Sequence, residues 1–288
     1  EPDGGNFYIS VKYFCSFLNF YKLKNKLDAI PENENVVLDF SMCNFVDHTV
    51  MEGVEGYVDT FDKKGGSIEI IGLDKHGADS EHPFAIRKVL PFAALVPVEG
   101  NLTKRQLLLQ ETATDFKWEY LPKKNKNTSF LSDFIFFQSR EISYYYHHIR
   151  AEDKMDELMD VEFTEGAFIA REVVKATVMH IQLDREVPVF TLDKDGLIKY
   201  IYNLAGFSEI SIPNHADFNK RFYLSGEDKK AIQDLFSDEL ILFLESNPYY
   251  HIECNGKALL ILKKERLLSV KEVKAMLYYG KQLHQILA

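Results

Sequence analysis

The sequence predicts an α/β protein, a sheet flanked by helices followed by a second α+β domain. Apolar runs of strand length alternate with helical periodicity over residues 7–73. Runs rich in β-branched residues recur between residues 168 and 262. A chain of 288 residues with 46% apolar content is also long enough for two packed cores.

FYISVKY (7–13) reads as the first strand. Phe17, Phe20, Tyr21, Leu23, Leu27 and Ile30 then recur at three-to-four spacing, which predicts one buried helical face with Lys22, Lys24 and Lys26 outside. Pro31 ends that helix, and Val36, Val37, Leu38 and Phe40 form a short continuous apolar run of the kind buried on both faces of a sheet. Val50, Val54, Tyr57, Val58 and Phe61 predict a second helix, which runs out at Lys63-Lys64-Gly65-Gly66. Ser67 to Leu73 gives another strand, and one helix between two strands implies a right-handed parallel crossover.

Residues 79–100, with Pro83, Pro91 and Pro97, read as a linker between a domain at 1–78 and an α+β domain at 101–288. In the latter, TKRQLLLQETA is a helix and KWEYLPKKNKNTS a surface loop, followed by strands at 168–183 and 187–192 and a helix at 197–205. Ser225 and Asp228 are read as a capping box. Asn255-Gly256 predicts a hairpin whose two turn residues both take positive φ, and Ser269 with Glu272 starts the last helix as a second capping box.

The formal charge of −10 argues against nucleic acid as a partner. Cys15, Cys43 and Cys254 are odd in number and lack metal spacing, so they read as free thiols of a reducing compartment. No run approaches the roughly 18 apolar residues of a membrane span. The opening EPDGGNFYIS lacks both an initiator Met and a signal peptide, and reads as a piece of something longer.

The turn CNFVDHT is the candidate functional element. Thr49 and Glu52 have the T-x-x-E form of a capping box, Asp47 is a turn former, and a helix N-terminus attracts anions. Neither a glycine-rich cradle nor a basic residue lies in the turn to reinforce an anion site. His76, Asp79 and His82 are of metal-ligating type, but their spacing fits no closed site and a fourth ligand is missing. His147-His148, after Tyr144 to Tyr146, reads as the edge of a strand or helix with alternating buried faces. No nucleophile elbow, P-loop, dinucleotide fingerprint or H-E-x-x-H is present, so neither catalysis nor a cofactor is expected.

CSFLNFYKLKNKLDAIP, VVLDFSMCNFVDHTVMEGV and GLDKHGADSEHPFAIRK resemble successive stretches of a STAS domain, in the form found as the cytoplasmic C-terminal extension of SulP-type anion transporters. The resemblance covers about the first quarter to third of the chain. It implies a STAS-like sheet, a regulatory role through protein–protein contacts, and the transporter's membrane domain as partner, with a homodimer as a further association. It also implies a place on the cytoplasmic side of the inner membrane. In the related anti-sigma-factor antagonists an Asp-Ser-Ser-Gly motif carries a phosphorylated second Ser. Asp47 then matches the Asp, His48 the first Ser and Thr49 the phosphoacceptor, with Val50 in place of Gly. Asp47, His48 and Thr49 are therefore the expected partner-facing residues, with Thr49 as the phosphosite of the alternative, a free-standing switch protein. Stretches of the second domain, such as DFNKRFYLSGEDKKAIQDLF, look similar to a widespread bacterial domain of uncharacterised function.

Overall fold

Apolar strand runs and amphipathic helices sort into two compact units, Glu1–Leu107 and Leu108–Ala288, each with its own core. The computed structural model describes residues 2–3, 5–74, 76–78, 80, 82, 84–89, 102–153, 155–166, 171–194 and 207–288. Helices and strands are both abundant, in mixed sheets, and the chain has a two-domain α/β fold.

The first unit contains β1 (Pro2–Asp3), β2 (Asn6–Cys15), α1 (Phe20–Asp28), β3 (Asn35–Val46), α2 (His48–Lys63), β4 (Ser67–Ile71), β5 (His76–Ala78) and β6 (Arg87–Val89). β3 lies between parallel neighbours, with β2 on one side and β4 on the other over Asn35–Asp39. That placement explains its unbroken apolar run, since Val36, Val37, Leu38 and Phe40 are all fully buried. α1 contributes Phe20, Leu23 and Leu27 to the same core as Val50, Val54, Val58 and Phe61 of α2. Gly53 permits the close approach of these helices, because a Cβ there would lie 2.3 Å from the Phe20 ring.

Two expectations change in this unit. α1 begins at Phe20, so Phe17 precedes it, and both Phe17 and Tyr21 face outward rather than into the core. β6 falls inside the stretch read as linker and pairs antiparallel with β5 and with Phe45 and Val46 at the far end of β3. A three-residue strand among prolines leaves no periodicity to read, which is why composition hid it. Residues 79, 81, 83 and 90–100 of that stretch lie outside the described residues.

α3 (Lys104–Asp115) carries the chain into the second unit. There follow β7 (Glu119–Leu121), α4 (Ser129–Ser132), α5 (Ile135–Gln138), β8 (Glu141–Arg150), β9 (Asp156–Glu165), β10 (Glu172–Gln182), β11 (Phe190–Asp193) and β12 (Ser208–Glu209). α6 (Ala216–Arg221), β13 (Tyr223–Gly226), α7 (Lys229–Leu235), α8 (Asp238–Ser246), β14 (His251–Cys254), β15 (Ala258–Leu262) and α9 (Val270–Leu287) complete it. The nine strands form one antiparallel sheet in the order β12-β13-β11-β14-β15-β10-β9-β8-β7. Alternation along β10 divides two apolar layers: Ala176 and Val178 pack with Phe134, Phe136 and Phe137, and Met179 and Ile181 pack with α9.

Sequence patterns hold here with three corrections. β7 occupies part of the expected surface loop, paired to β8. Ser225 does not cap a helix: it lies in β13 with its hydroxyl 2.7 Å from that of Thr191, and Asp228 alone caps α7 by accepting the Ala231 amide. In the β14–β15 hairpin only Gly256 takes positive φ (+98°), while the Asn255 side-chain carbonyl accepts the amides of Lys257 and Ala258. The turn therefore departs from the expected type I′ form. The Ser269–Glu272 capping box is present in full. The helix read at 197–205 lies outside the described residues.

Candidate functional site

β2 and β3 run parallel, so their carboxyl ends come side by side, with Cys15 paired to Val46. The chain leaves each strand into a helix, and Asp47 ties the two exits together. Its amide donates to the Cys15 carbonyl (3.1 Å). One carboxylate oxygen accepts the Val50 amide (3.0 Å), which makes Asp47 the N-cap of α2, and the other accepts the Phe17 amide (2.6 Å). A carboxylate is suited to this place because free amides and the helix dipole both favour negative charge there. Asn19 fixes the same loop from its other side, accepting the Ser16 amide (2.7 Å) and donating to the Phe14 carbonyl (2.9 Å).

This arrangement corrects the expected Thr49–Glu52 capping box. α2 starts at His48, two positions earlier than that box requires, so Thr49 lies inside the first turn with its side chain exposed. His48 is exposed too, and its Nδ1–H donates to the Phe84 carbonyl (2.7 Å) while its ring meets those of His82 and Phe84. Of the three residues singled out in the turn, Asp47 is thus engaged in holding backbone, whereas His48 and Thr49 face outward.

The loop that Asp47 holds also exposes large apolar side chains. Tyr13, Phe14, Phe17, Leu18 and Tyr21 are between 56% and 72% exposed. Tyr13 adopts the left-handed region (φ +67°) where the β2–β3 register shifts, opposite the extra Asn44 of β3. Sequence periodicity assigned Phe17 and Tyr21 to the core. The missing signal was the helix start at Phe20, which moves Phe17 off the helix altogether.

The expected metal ligands do not converge. His76 is buried with its Nε2 on the Cys43 carbonyl (2.8 Å), His82 accepts the Phe84 amide (3.1 Å), and Asp79 lies outside the described residues. Among the described residues no group of three His, Cys, Asp or Glu side chains is placed to hold a metal ion. All three cysteines are buried free thiols, and burial pushes Cys15 and Cys254 up to about 12. None has the lowered thiol of a nucleophile.

The second unit buries a histidine–carboxylate layer that the sequence did not reveal. A bulge between Tyr146 and Ile149, with His147 at φ +50°, turns both His147 and His148 inward. His147 meets Asp160 (2.9 Å), whereas His148 (2.7 Å) and His180 (3.0 Å) share Glu157. Burial alone would raise the Glu157 carboxyl, but hydrogen bonds from the two imidazoles hold it at about 2. These partners are 9 to 23 residues apart and meet only through strand register, which no local spacing encodes. Each of the three imidazoles meets a carboxylate, and Asp160 also accepts the Thr177 hydroxyl, the arrangement of a core polar network.

No protein-family model matches the chain, and no curated protein matches it either. Among solved structures it is similar to the crystal structure of the mycobacterial trehalose monomycolate transport factor A, TtfA, at 11% identity, covering 65% of this chain and 96% of that one with a TM-score of 0.39. A likeness of that size supports no functional statement.

Proposed function

We propose that the chain is the cytoplasmic regulatory region of a membrane anion transporter of the sulfate-permease type, working through protein–protein contacts of its first unit. The anion is sulfate or bicarbonate, and translocation belongs to a membrane domain outside this sequence. What supports this reading is the resemblance of residues 8–76 to a STAS domain and, above all, the rigid presentation of the turn. Asp47 locks both strand exits, so the exposed His48, Thr49 and Glu52 at the start of α2 form a pre-organised surface that orders at little further cost on contact. No helix among the described residues is long and apolar enough to cross a membrane, in keeping with a region that contacts a membrane domain rather than forming one. This role requires no catalysis, cofactor or metal.

The test is the coding sequence upstream together with a photo-crosslinker at Thr49. About ten or more preceding apolar segments of roughly 18–20 residues, and a crosslink from Thr49 into them, are expected. An initiator Met just before Glu1 overturns the proposal.

One observation favours a second reading, the phosphorylated switch. Because Asp47 caps α2, the Thr49 hydroxyl is not engaged in the cap and sits exposed near the helix N-terminus, where a phosphate adds roughly −1.5 to −2 charges. Intact mass of protein from its own host, with an increment of about 80 Da lost in Thr49→Ala, is the expected result for that switch. Unmodified mass under every growth condition removes it.

A further inference from the structure

The segment from β2 into α1 stands out from the rest of this acidic chain. Residues 4–27 contain Lys12, Lys22, Lys24 and Lys26 and no Asp or Glu, a local charge of +4 within a total of −10. All four lysines are exposed, and in sequence they flank the exposed Phe14, Phe17, Leu18 and Tyr21. We propose that this surface seats on the headgroup layer of an anionic lipid bilayer, with the apolar side chains entering the interface and the lysines contacting the lipid phosphates.

Two physical arguments select lipid over a protein partner. Protein interfaces are depleted in lysine at their contact, whereas lysines flanking Phe, Leu and Tyr are the composition of an interfacial anchor. A partner adding a strand to β2 needs a free, flat edge, yet the start of that edge is already paired to β1 at Asn6 and Phe7 and the rest carries the exposed Lys12, features that blunt an edge. The chain's net negative charge does not cancel the attraction, because charges beyond a Debye length of about 8 Å are screened at physiological salt while those at the contact are not. The loop is also held in place by Asp47 and Asn19, so Phe17 and Leu18 are presented without an ordering step.

The inference is independent of the transporter reading, and its test contains no transporter. The full chain is sedimented with vesicles of phosphatidylcholine containing about 30% phosphatidylglycerol and with vesicles of phosphatidylcholine alone, at low and at physiological salt. Expected is co-sedimentation with the anionic vesicles that weakens with salt, and little with the neutral ones. The double variants Phe17→Ser, Leu18→Ser and Lys22→Glu, Lys24→Glu are expected to bind roughly tenfold or more weakly. All four positions are exposed, and an unchanged circular dichroism spectrum shows that the fold is kept. The chain remaining in the supernatant with anionic vesicles at low salt overturns the inference, as do variants that bind like the parent. Lysine-dependent capture by polyglutamate without vesicle binding overturns it too, and assigns the surface to an acidic polypeptide. Any of these results leaves the Thr49 surface to be decided by its own crosslinking test.

Discussion

At Asp47 one carboxylate accepts amides from two segments that are far apart in sequence, and this has a measurable consequence. Removing it in Asp47→Ala leaves the Val50 amide without its cap and the Phe17 amide without its acceptor. The expected loss is about 1–2 kcal/mol from the cap, with an added contribution from the loop, measured by urea denaturation. Thr49→Ala is expected to cost less than about 0.5 kcal/mol, as for an exposed side chain outside any cap. Comparable losses for the two variants would mean that Thr49 caps after all. Two capping frames, D-x-x-V and T-x-x-E, overlap in the sequence here, and local pattern alone does not rank them. The deciding partner, the amide of Phe17, lies 30 residues away and becomes a neighbour only when β2 and β3 pair.

α9 is the clearest case of an element whose local signal reads correctly from sequence. Its Ser269–Glu272 box needs only four consecutive residues, and the structure keeps both halves of it. The surroundings of Glu272 were not legible, because Lys263 (2.7 Å) and Arg266 (2.8 Å) reach it from the preceding loop. Burial alone would raise its carboxyl, but hydrogen bonds from Arg266 and Lys263 hold it at about 2, below the ordinary 4.5. A carboxyl depressed in the folded state stabilises fully above pH about 4.5, and that contribution is lost as pH falls towards about 2. Glu272→Gln keeps the box's hydrogen-bonding shape while removing the charge. It is expected to lower the stability of the second unit by about 1–3 kcal/mol at pH 7 and to flatten its acid limb between pH 4.5 and 2. Thermal scans at pH 7 and pH 3 check this, and an acid limb as steep as the parent's would refute it. By contrast, the S-x-x-D pattern at Ser225 failed because register places that hydroxyl opposite Thr191, a contact 34 residues long.

At the scale of the molecule, each unit encloses its own apolar core, with Phe40 and Leu27 at the centre of one and Leu260 and Phe163 within the other. A β-α-β half followed by an α+β half was legible from the proline-rich stretch between two patterns. The boundary was not, because β6 joins the first sheet by pairing with β3, and the division falls inside α3, whose Leu109 and Ala113 enter the second core. Separate cores predict separable unfolding. Phe40→Ala removes a fully buried ring from the first unit and should cost it about 3–5 kcal/mol, and Leu260→Ala should cost the second about 2–5 kcal/mol. Calorimetry of the full chain is expected to show two transitions, each variant lowering a different one. A single transition shifted equally by both variants would mean that the units unfold as one cooperative body. Separable unfolding would also fit the proposed roles, since a module that engages a partner or a bilayer through its β2–α1 edge and α2 can then be stabilised there by binding, while the midpoint of the other unit stays where it was.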